Sequence, residues 1–168
     1  MLPITINPKM VRVGLAGAGE GLARRAALLS GSGVDAVSVA IESSDAALHR
    51  LSVLFVAGLE RPIAEELARR ARSGGVLVNV EDAPELCDFH VPAVVRQGTL
   101  MLTVSTGGRS PGLARRLREW LQKRFGPEWD EHLETLGAAR AGWHADGLSP
   151  DEVSRRTCDL IDNRGWLS

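Results

Sequence analysis

The chain has 168 residues, about one domain at roughly 150 residues each, and its 44% apolar and 24% charged composition excludes a disordered or collagen-like chain. A net charge of −1 from 20 basic and 21 acidic side chains argues against nucleic-acid or membrane adhesion. No apolar run nears the roughly 20 residues of a membrane span, the opening MLPITINPKM lacks a signal peptide's apolar core, and two cysteines are too few for a disulfide framework or four-thiolate zinc site, so the expectation is a cytoplasmic, globular protein.

Eighteen Gly, four Trp, three Phe and no Tyr imply a core of Ala, Val and Leu, suited to close helix–sheet packing. Val11–Ala16 is a short apolar run, followed by Gly17-Ala18-Gly19-Glu20-Gly21 and then Leu22, Ala26 and Leu29 at helical spacing, which predicts strand, glycine turn and helix. Gly31 and Gly33 end that helix. Val34–Ile41 is β-branched and mostly apolar, a second strand. Ser43 or Ser44 can cap a short helix through Arg50, a third strand covers Val53–Ala57, and Pro62 opens a helix running to Arg72. Gly74-Gly75 stops that helix before a fourth strand, Val76–Val80. Strands apolar on both faces and alternating with helices predict a parallel sheet covered by helices.

The pattern then changes. Pro92–Arg96 and Leu100–Ser105 read as a hairpin around Gln97-Gly98-Thr99. Thr106 through Gly112 is a glycine-rich turn entering an amphipathic helix with Leu113, Leu117, Trp120 and Leu121 on one face. Gly126-Pro127 breaks it. Residues 128–168 are helical in character, interrupted near Gly142–Ser149, and Ser149-Pro150-Asp151-Glu152 reads as a capped start.

Four groups of residues can carry chemistry. Gly17 and Gly19 permit a sharp turn and a close backbone approach by a phosphate, and the helix beyond offers free N–H groups to a pyrophosphate. The third fingerprint position is Leu22 rather than glycine. Glu42, 20 residues further on, can bind adenosine ribose hydroxyls; the other reading is a plain tight turn and a solvated glutamate. Asp82 in Asn79-Val80-Glu81-Asp82-Ala83-Pro84 falls where the fourth strand ends, suiting a general base or a simple Asx turn. Ser105–Gly112 can form an anion nest. Arg109 within it and Arg115, Arg116, Arg118, Lys123 and Arg124 on the helix that follows stand against one acid, Glu119, which suits a polyanionic small ligand or a plain solvated face. Cys87 and His90 are spaced like a metal pair, yet two ligands do not make a structural zinc site, and a buried thiol with a turn histidine fits as well. The tryptophans at 120, 129, 143 and 166 fit helix or subunit packing.

Three segments together resemble the precorrin-2 dehydrogenase/sirohydrochlorin ferrochelatase family, which also forms the N-terminal half of siroheme synthases. They are Ala16 through Arg25, Asn79 through Ala93 and Thr103 through Arg115, and Leu2-Pro3 also fits. The resemblance implies an α/β fold: a Rossmann-type parallel sheet, a small dimerisation region and a helical tail that closes over substrate. The corresponding ranges are 1–90, 91–125 and 126–168. It implies NAD-dependent oxidation of precorrin-2 to sirohydrochlorin, with iron insertion (Fe2+ as substrate) in many members, by a homodimer that binds a tetrapyrrole. The family's essential aspartate falls on Asp82 and its conserved hydroxyl on Thr106. The expected cofactor contacts are Gly17, Ala18, Gly19, Glu20, Glu42, Ala57 and Asn79. The expected substrate contacts are Thr106, Gly107, Gly108, Arg109, Ser110, Arg115 and Arg116, with His90 the candidate metal ligand.

Two departures stand out. About ten residues separate Glu42 from the third strand, where family members usually fit a further strand and helix. The third strand ends Ala57-Gly58-Leu59-Glu60 rather than in an Ala-Thr-Asp-like turn. The sheet is therefore expected to be trimmed beside the cofactor's seat. This leaves a second reading open, a non-catalytic tetrapyrrole carrier that has lost its cofactor.

Overall fold

The computed structural model describes residues 2–167, which divide between Val91 and Pro92 into two compact units. In the first unit the elements are β1 (Val13–Gly17), α1 (Gly19–Ser30), β2 (Val37–Ser38), α2 (Asp45–Leu48), β3 (Val53–Ala57), α3 (Arg61–Ser73) and β4 (Leu77–Val80). The strands form one sheet in the order β2-β1-β3-β4, every neighbouring pair parallel. The chain thus winds outward from β1 to β2, then crosses back to β3, and the winding reverses between β1 and β3. In open α/β sheets, ligands bind at the carboxyl ends of the strands beside such a reversal.

Side-chain alternation along the strands divides the core. Leu54, Val56, Val78 and Val80 turn to one face, where they meet Leu48 of α2 and Ala64, Leu67, Ala68 and Ala71 of α3. The i, i+3, i+4, i+7 spacing in α3 is one helical stripe, and three of its four members are alanine, so the helix lies close. Val13, Leu15, Val53 and Phe55 face the other way, against Leu29 of α1. All of β3 is buried, as befits a central parallel strand.

The second strand is shorter than its sequence suggests. Of the apolar run 34–41 only Val37 and Ser38 pair with β1, and both are exposed. Val34 and Ala36 instead pack on the α1 side of the core, and Val39 on the other. With no strand outside it, β2 is an edge, and its residues are spent on packing rather than on a ladder. The trimming expected between Glu42 and β3 is real in this sense.

The opposite edge, β4, is covered by its own following loop. Asp88 accepts from the Val78 N–H at 2.8 Å and donates its own N–H to the Val78 carbonyl at 2.8 Å, while Arg72 Nε holds the Asp88 carboxylate at 2.9 Å. Loops folded onto an edge remove unpaired backbone groups that would otherwise recruit another strand.

The second unit contains β5 (Ala93–Gln97) and β6 (Leu100–Val104), an antiparallel hairpin closed at Gly98 and Thr99, then α4 (Pro111–Arg124), α5 (Glu128–Ala145) and α6 (Pro150–Arg164). It joins the region expected at 91–125 to the tail expected at 126–168. Gln97 Nε2 donates to the Phe125 carbonyl at 2.7 Å, and Asp130 of α5 accepts from the Thr99 N–H at 3.2 Å. A chain of rings, Phe125, Trp129, His132 and Trp166, links α4 to the end of α6. Ser149 and Glu152 form the expected capping box. Among the described residues no helix is long and apolar enough to cross a membrane.

Candidate functional site

The turns after β1 and β3 are zipped together. The Ala18 N–H donates to the Ala57 carbonyl at 3.2 Å. A Cβ on Gly17 would collide with that same carbonyl, and one on Gly58 with the carbonyl of Ala18. Gly19 differs: its φ is +61°, and a Cβ there would meet nothing within 4 Å. It bends the chain into α1 while its surface faces open space, as a phosphate approach requires. No side chain caps α1, whose N-cap is Ala18, so its first N–H groups keep their partial positive charge for an anion.

The missing third glycine of the fingerprint has a substitute one position earlier. Gly21 is buried in the first turn of α1, and a Cβ there would strike the Glu81 carboxylate and the backbone of Gly58. Close packing of α1 against the strand ends, the third glycine's task, therefore falls to Gly21. The run Gly17-x-Gly19-x-Gly21 was the sequence signal for it. Glu20 is exposed at the same turn, and Arg24 spans from Glu20 at 3.7 Å to Glu81 at 3.6 Å.

Glu42 lies exposed in the turn past β2. Its neighbour Ile41 forms one wall of a groove of about 330 Å³, whose other wall is Pro62, Ile63, Glu66 and Leu67 of α3 and whose end is Arg70. Arg70 pins the loop by donating to the carbonyl of Ser43 and to the Asp45 carboxylate at 2.7 Å. That hydrogen bond holds the Asp45 carboxyl below its ordinary 3.8. The groove has no one-dimensional signature, because Ile41 and α3 meet only through the sheet's topology.

Asp82 lies in the turn that follows β4, on a left-handed backbone with φ +57°, and is the one non-glycine residue with positive φ among the described residues. Such strain persists only where its surroundings hold it, and it clusters at functional sites. The acids around it are committed elsewhere. Glu81 pairs with Arg24, Glu85 with Arg61 at 2.8 Å, and Asp88 with Arg72. The Asp82 side chain is exposed, and no hydrogen bond or ion pair among the described residues engages it. A proton-accepting carboxylate needs that freedom.

Other expected site residues serve the scaffold. Ala57 is buried and its carbonyl is taken by Ala18. Asn79 is 6% exposed, and its amide donates to the Phe89 carbonyl at 2.9 Å and toward Cys87 Sγ at 3.5 Å. His90 is exposed, and no group of three or more His, Cys, Asp or Glu side chains among the described residues is arranged to hold a metal.

In the second unit, Thr106 Oγ1 accepts from the Ser110 N–H at 3.2 Å and donates to the Ser110 carbonyl at 3.1 Å. The Gly107 N–H donates to Ser105 Oγ and the Arg109 N–H to the Thr106 carbonyl. Three donors of the expected nest, the N–H groups of Gly107, Arg109 and Ser110, are therefore used within the turn. Gly107 and Gly108 are both left-handed with open space beside them. Arg109, Arg115 and Arg116 are exposed. The latter two stand 3.8 and 3.6 Å from Glu119, which is also 3.9 Å from Arg118. One half-buried carboxylate shared by three guanidiniums neutralises only part of their charge, so these cations remain available to an anionic ligand. The expected apolar stripe of α4 faces solvent in the protomer: Leu113 is 51%, Leu117 39% and Trp120 60% exposed. The helix rests on its hairpin through the adjacent face, where Ala114, Arg118 and Leu121 are half-buried.

Residues 4–93, more than half of the chain, match the model of an NAD(P)-binding family. The siroheme synthase of Methylococcus capsulatus is 33% identical over 149 residues, covering 74% of this chain and 31% of that protein. That of Pseudomonas fluorescens is 31% identical over 179 residues, covering 92% of this chain and 37% of that protein. The chain thus spans about a third of the length of these relatives. The second alignment is longer than this chain itself, so that relative carries residues missing here. Among solved structures, a chain described as "SirC, precorrin-2 dehydrogenase" superposes with a TM-score of 0.76 at 20% identity, covering 100% of this chain and 93% of that one. The reversal between β1 and β3, the open glycine turn, the uncapped helix behind it and the family match agree: this chain belongs to the NAD(P)-binding family, and over most of its length it is related to siroheme synthases.

Proposed function

We propose that the protein is an NAD-dependent dehydrogenase that oxidises precorrin-2 to sirohydrochlorin in the cytoplasm. The carrying observation is Asp82, the one acid of its loop left unpaired, on a strained backbone at the carboxyl end of a strand. The relatives' names supply the substrate class; the residues supply the chemistry.

The residues present fit the dinucleotide. Gly19 and the first N–H groups of α1 suit the pyrophosphate, Glu42 suits the adenosine ribose hydroxyls, and the groove between Ile41 and Ile63 suits the flat, largely apolar adenine. NAD when bound supplies the hydride acceptor. Dehydrogenation removes two electrons and two hydrogens from the macrocycle, one as hydride and one as a proton, and Asp82 takes the proton on its free carboxylate oxygen. The exposed Arg109, Arg115 and Arg116 suit carboxylates of a tetrapyrrole. In members that also insert iron, Fe2+ is a substrate held by the ring nitrogens. The same Asp82 can accept the pyrrole protons, with His90 a metal-delivering group.

The test is direct. With NAD and precorrin-2, purified protein yields NADH and sirohydrochlorin absorbance, and calorimetry gives micromolar NAD binding with NADP weaker, because Glu42 repels a 2′-phosphate. No NAD binding at millimolar concentration would favour the cofactor-free carrier, which the two-residue β2 keeps in view.

The reading includes a homodimer through α4. Leu113, Leu117 and Trp120 form an i, i+4, i+7 apolar face that the protomer leaves in water, and a two-fold mate using the same patch would bury it. Light scattering at micromolar concentration should give twice the chain mass, and Trp120→Asp should give the single mass. A monomeric parent would exclude the arrangement.

A further inference from the structure

The loop from β4 through Phe89 is organised around one sulfur atom. Cys87 Sγ accepts from the Val80 N–H at 3.2 Å and from the Asn79 amide at 3.5 Å. Its own S–H has two carbonyls within reach, Val80 at 3.2 Å and Ala83 at 3.3 Å. Val80 and Ala83 bracket Glu81 and Asp82 in the chain, and both are buried. The thiol therefore ties together the two ends of the segment that contains Asp82.

The other restraints act on the same segment. The Glu81 N–H donates to the Val56 carbonyl at 2.9 Å, the Ala83 N–H to Val80 at 3.4 Å, and the Leu86 N–H to Ala83 at 2.9 Å. Asn79 Nδ2 reaches beyond Cys87 to the Phe89 carbonyl. A left-handed aspartate costs free energy that its neighbours must offset. Here no hydrogen bond or ion pair among the described residues engages the Asp82 side chain; the restraints act on the residues either side of it, and Cys87 is the one side chain that binds both Val80 and Ala83. A packing role alone would need an apolar group of this size, not a donor and acceptor engaged on both strokes of the turn.

We propose that Cys87 is a positioning residue for Asp82: its thiol fixes Val80 and Ala83 so that Asp82 keeps its left-handed backbone and presents its carboxylate in one direction. This rests on the reading of Asp82 as the proton acceptor. It is through these hydrogen bonds that the thiol acts.

The experiment is a double-mutant cycle on NAD-dependent precorrin-2 oxidation, followed by NADH absorbance, with thermal unfolding on every variant. Cys87→Val keeps the volume and removes the hydrogen bonds; Cys87→Ala is the smaller alternative should the valine variant misfold. Either should lower kcat by about tenfold to a hundredfold, the scale of a misplaced catalytic group, with the KM for NAD within about twofold of the parent, since the glycine turn is untouched. Cys87→Ser, which retains donor and acceptor, should recover most of the rate. Combined with Asp82→Ala, Cys87→Val should slow the reaction no further than Asp82→Ala alone, because one residue acts through the other. A parental kcat in Cys87→Val, no recovery in Cys87→Ser, or additive losses in the double variant would overturn the proposal while leaving Asp82 in place. A parental rate in Asp82→Ala would instead remove the proton acceptor itself, and this proposal with it.

Discussion

Asp82→Ala is expected to leave a folded protein that binds NAD as the parent does and oxidises precorrin-2 about 10²–10⁴ times more slowly, the contribution of a positioned general base. The alanine also inherits φ +57°, a conformation that costs an L-residue with a Cβ about 1 kcal/mol, so a small loss of stability accompanies the loss of rate. Asp82→Gly separates the two effects. Glycine adopts the left-handed backbone freely, so that variant should match or exceed the parent in urea melts and still be inactive. Asp82→Asn keeps the turn preference and loses the proton acceptor, with the same expected result. If Asp82→Gly is both stable and fully active, the strained backbone has no catalytic meaning, and the proton acceptor must be sought elsewhere.

The second large effect belongs to the glycine turn, where two adjacent substitutions should fail for different reasons. Gly17→Ala places a methyl against the Ala57 carbonyl, between strands that are paired along their whole length. Prising those turns apart should destabilise the first unit by about 2–4 kcal/mol, from overpacking and backbone strain together. Gly19→Ala meets nothing within 4 Å, so the cost to the fold is only that of a left-handed alanine, about 1 kcal/mol. Its methyl projects into the space a phosphate needs. NAD affinity should fall about 10- to 100-fold, or roughly 1.4–2.7 kcal/mol, in a protein that still melts cooperatively. Thermal unfolding and calorimetric titration on the two variants distinguish these outcomes. Equal NAD affinity in Gly19→Ala and the parent would move the pyrophosphate away from this turn.

Much of the architecture was legible from residue order. β3 at Val53–Ala57 and α3 beginning beside Pro62 follow from apolar runs and helix-start chemistry that act over a few residues. So does the capped start at Ser149, where Ser149 and Glu152 complete the box within one turn. The strand at 34–41 was overread, because apolar β-branched residues look alike whether they enter a ladder or pack beside one. Only the absence of an outer strand reduced β2 to Val37 and Ser38. The α4 stripe was legible as a periodicity, and the protomer leaves that face uncovered, since spacing tells which residues share a side but not which side finds a partner.

The sequence by itself determined the alternating α/β order, the glycine turn at 17–21, the acid at 82 and the basic helix after Pro111, since each is a local pattern whose physics lies within one or two turns of chain. Tertiary structure decided what those patterns are for. It turned Gly17 and Gly58 into contacts between two strand ends, gave Gly21 the packing task that the motif reserved for a later glycine, and set Ile41 across a groove from Ile63. It also bound Glu81, Glu85 and Asp88 to arginines brought from α1 and α3, leaving Asp82 alone unpaired. Pairing across a sheet depends on distances between residues far apart in the chain, and only folding sets those distances.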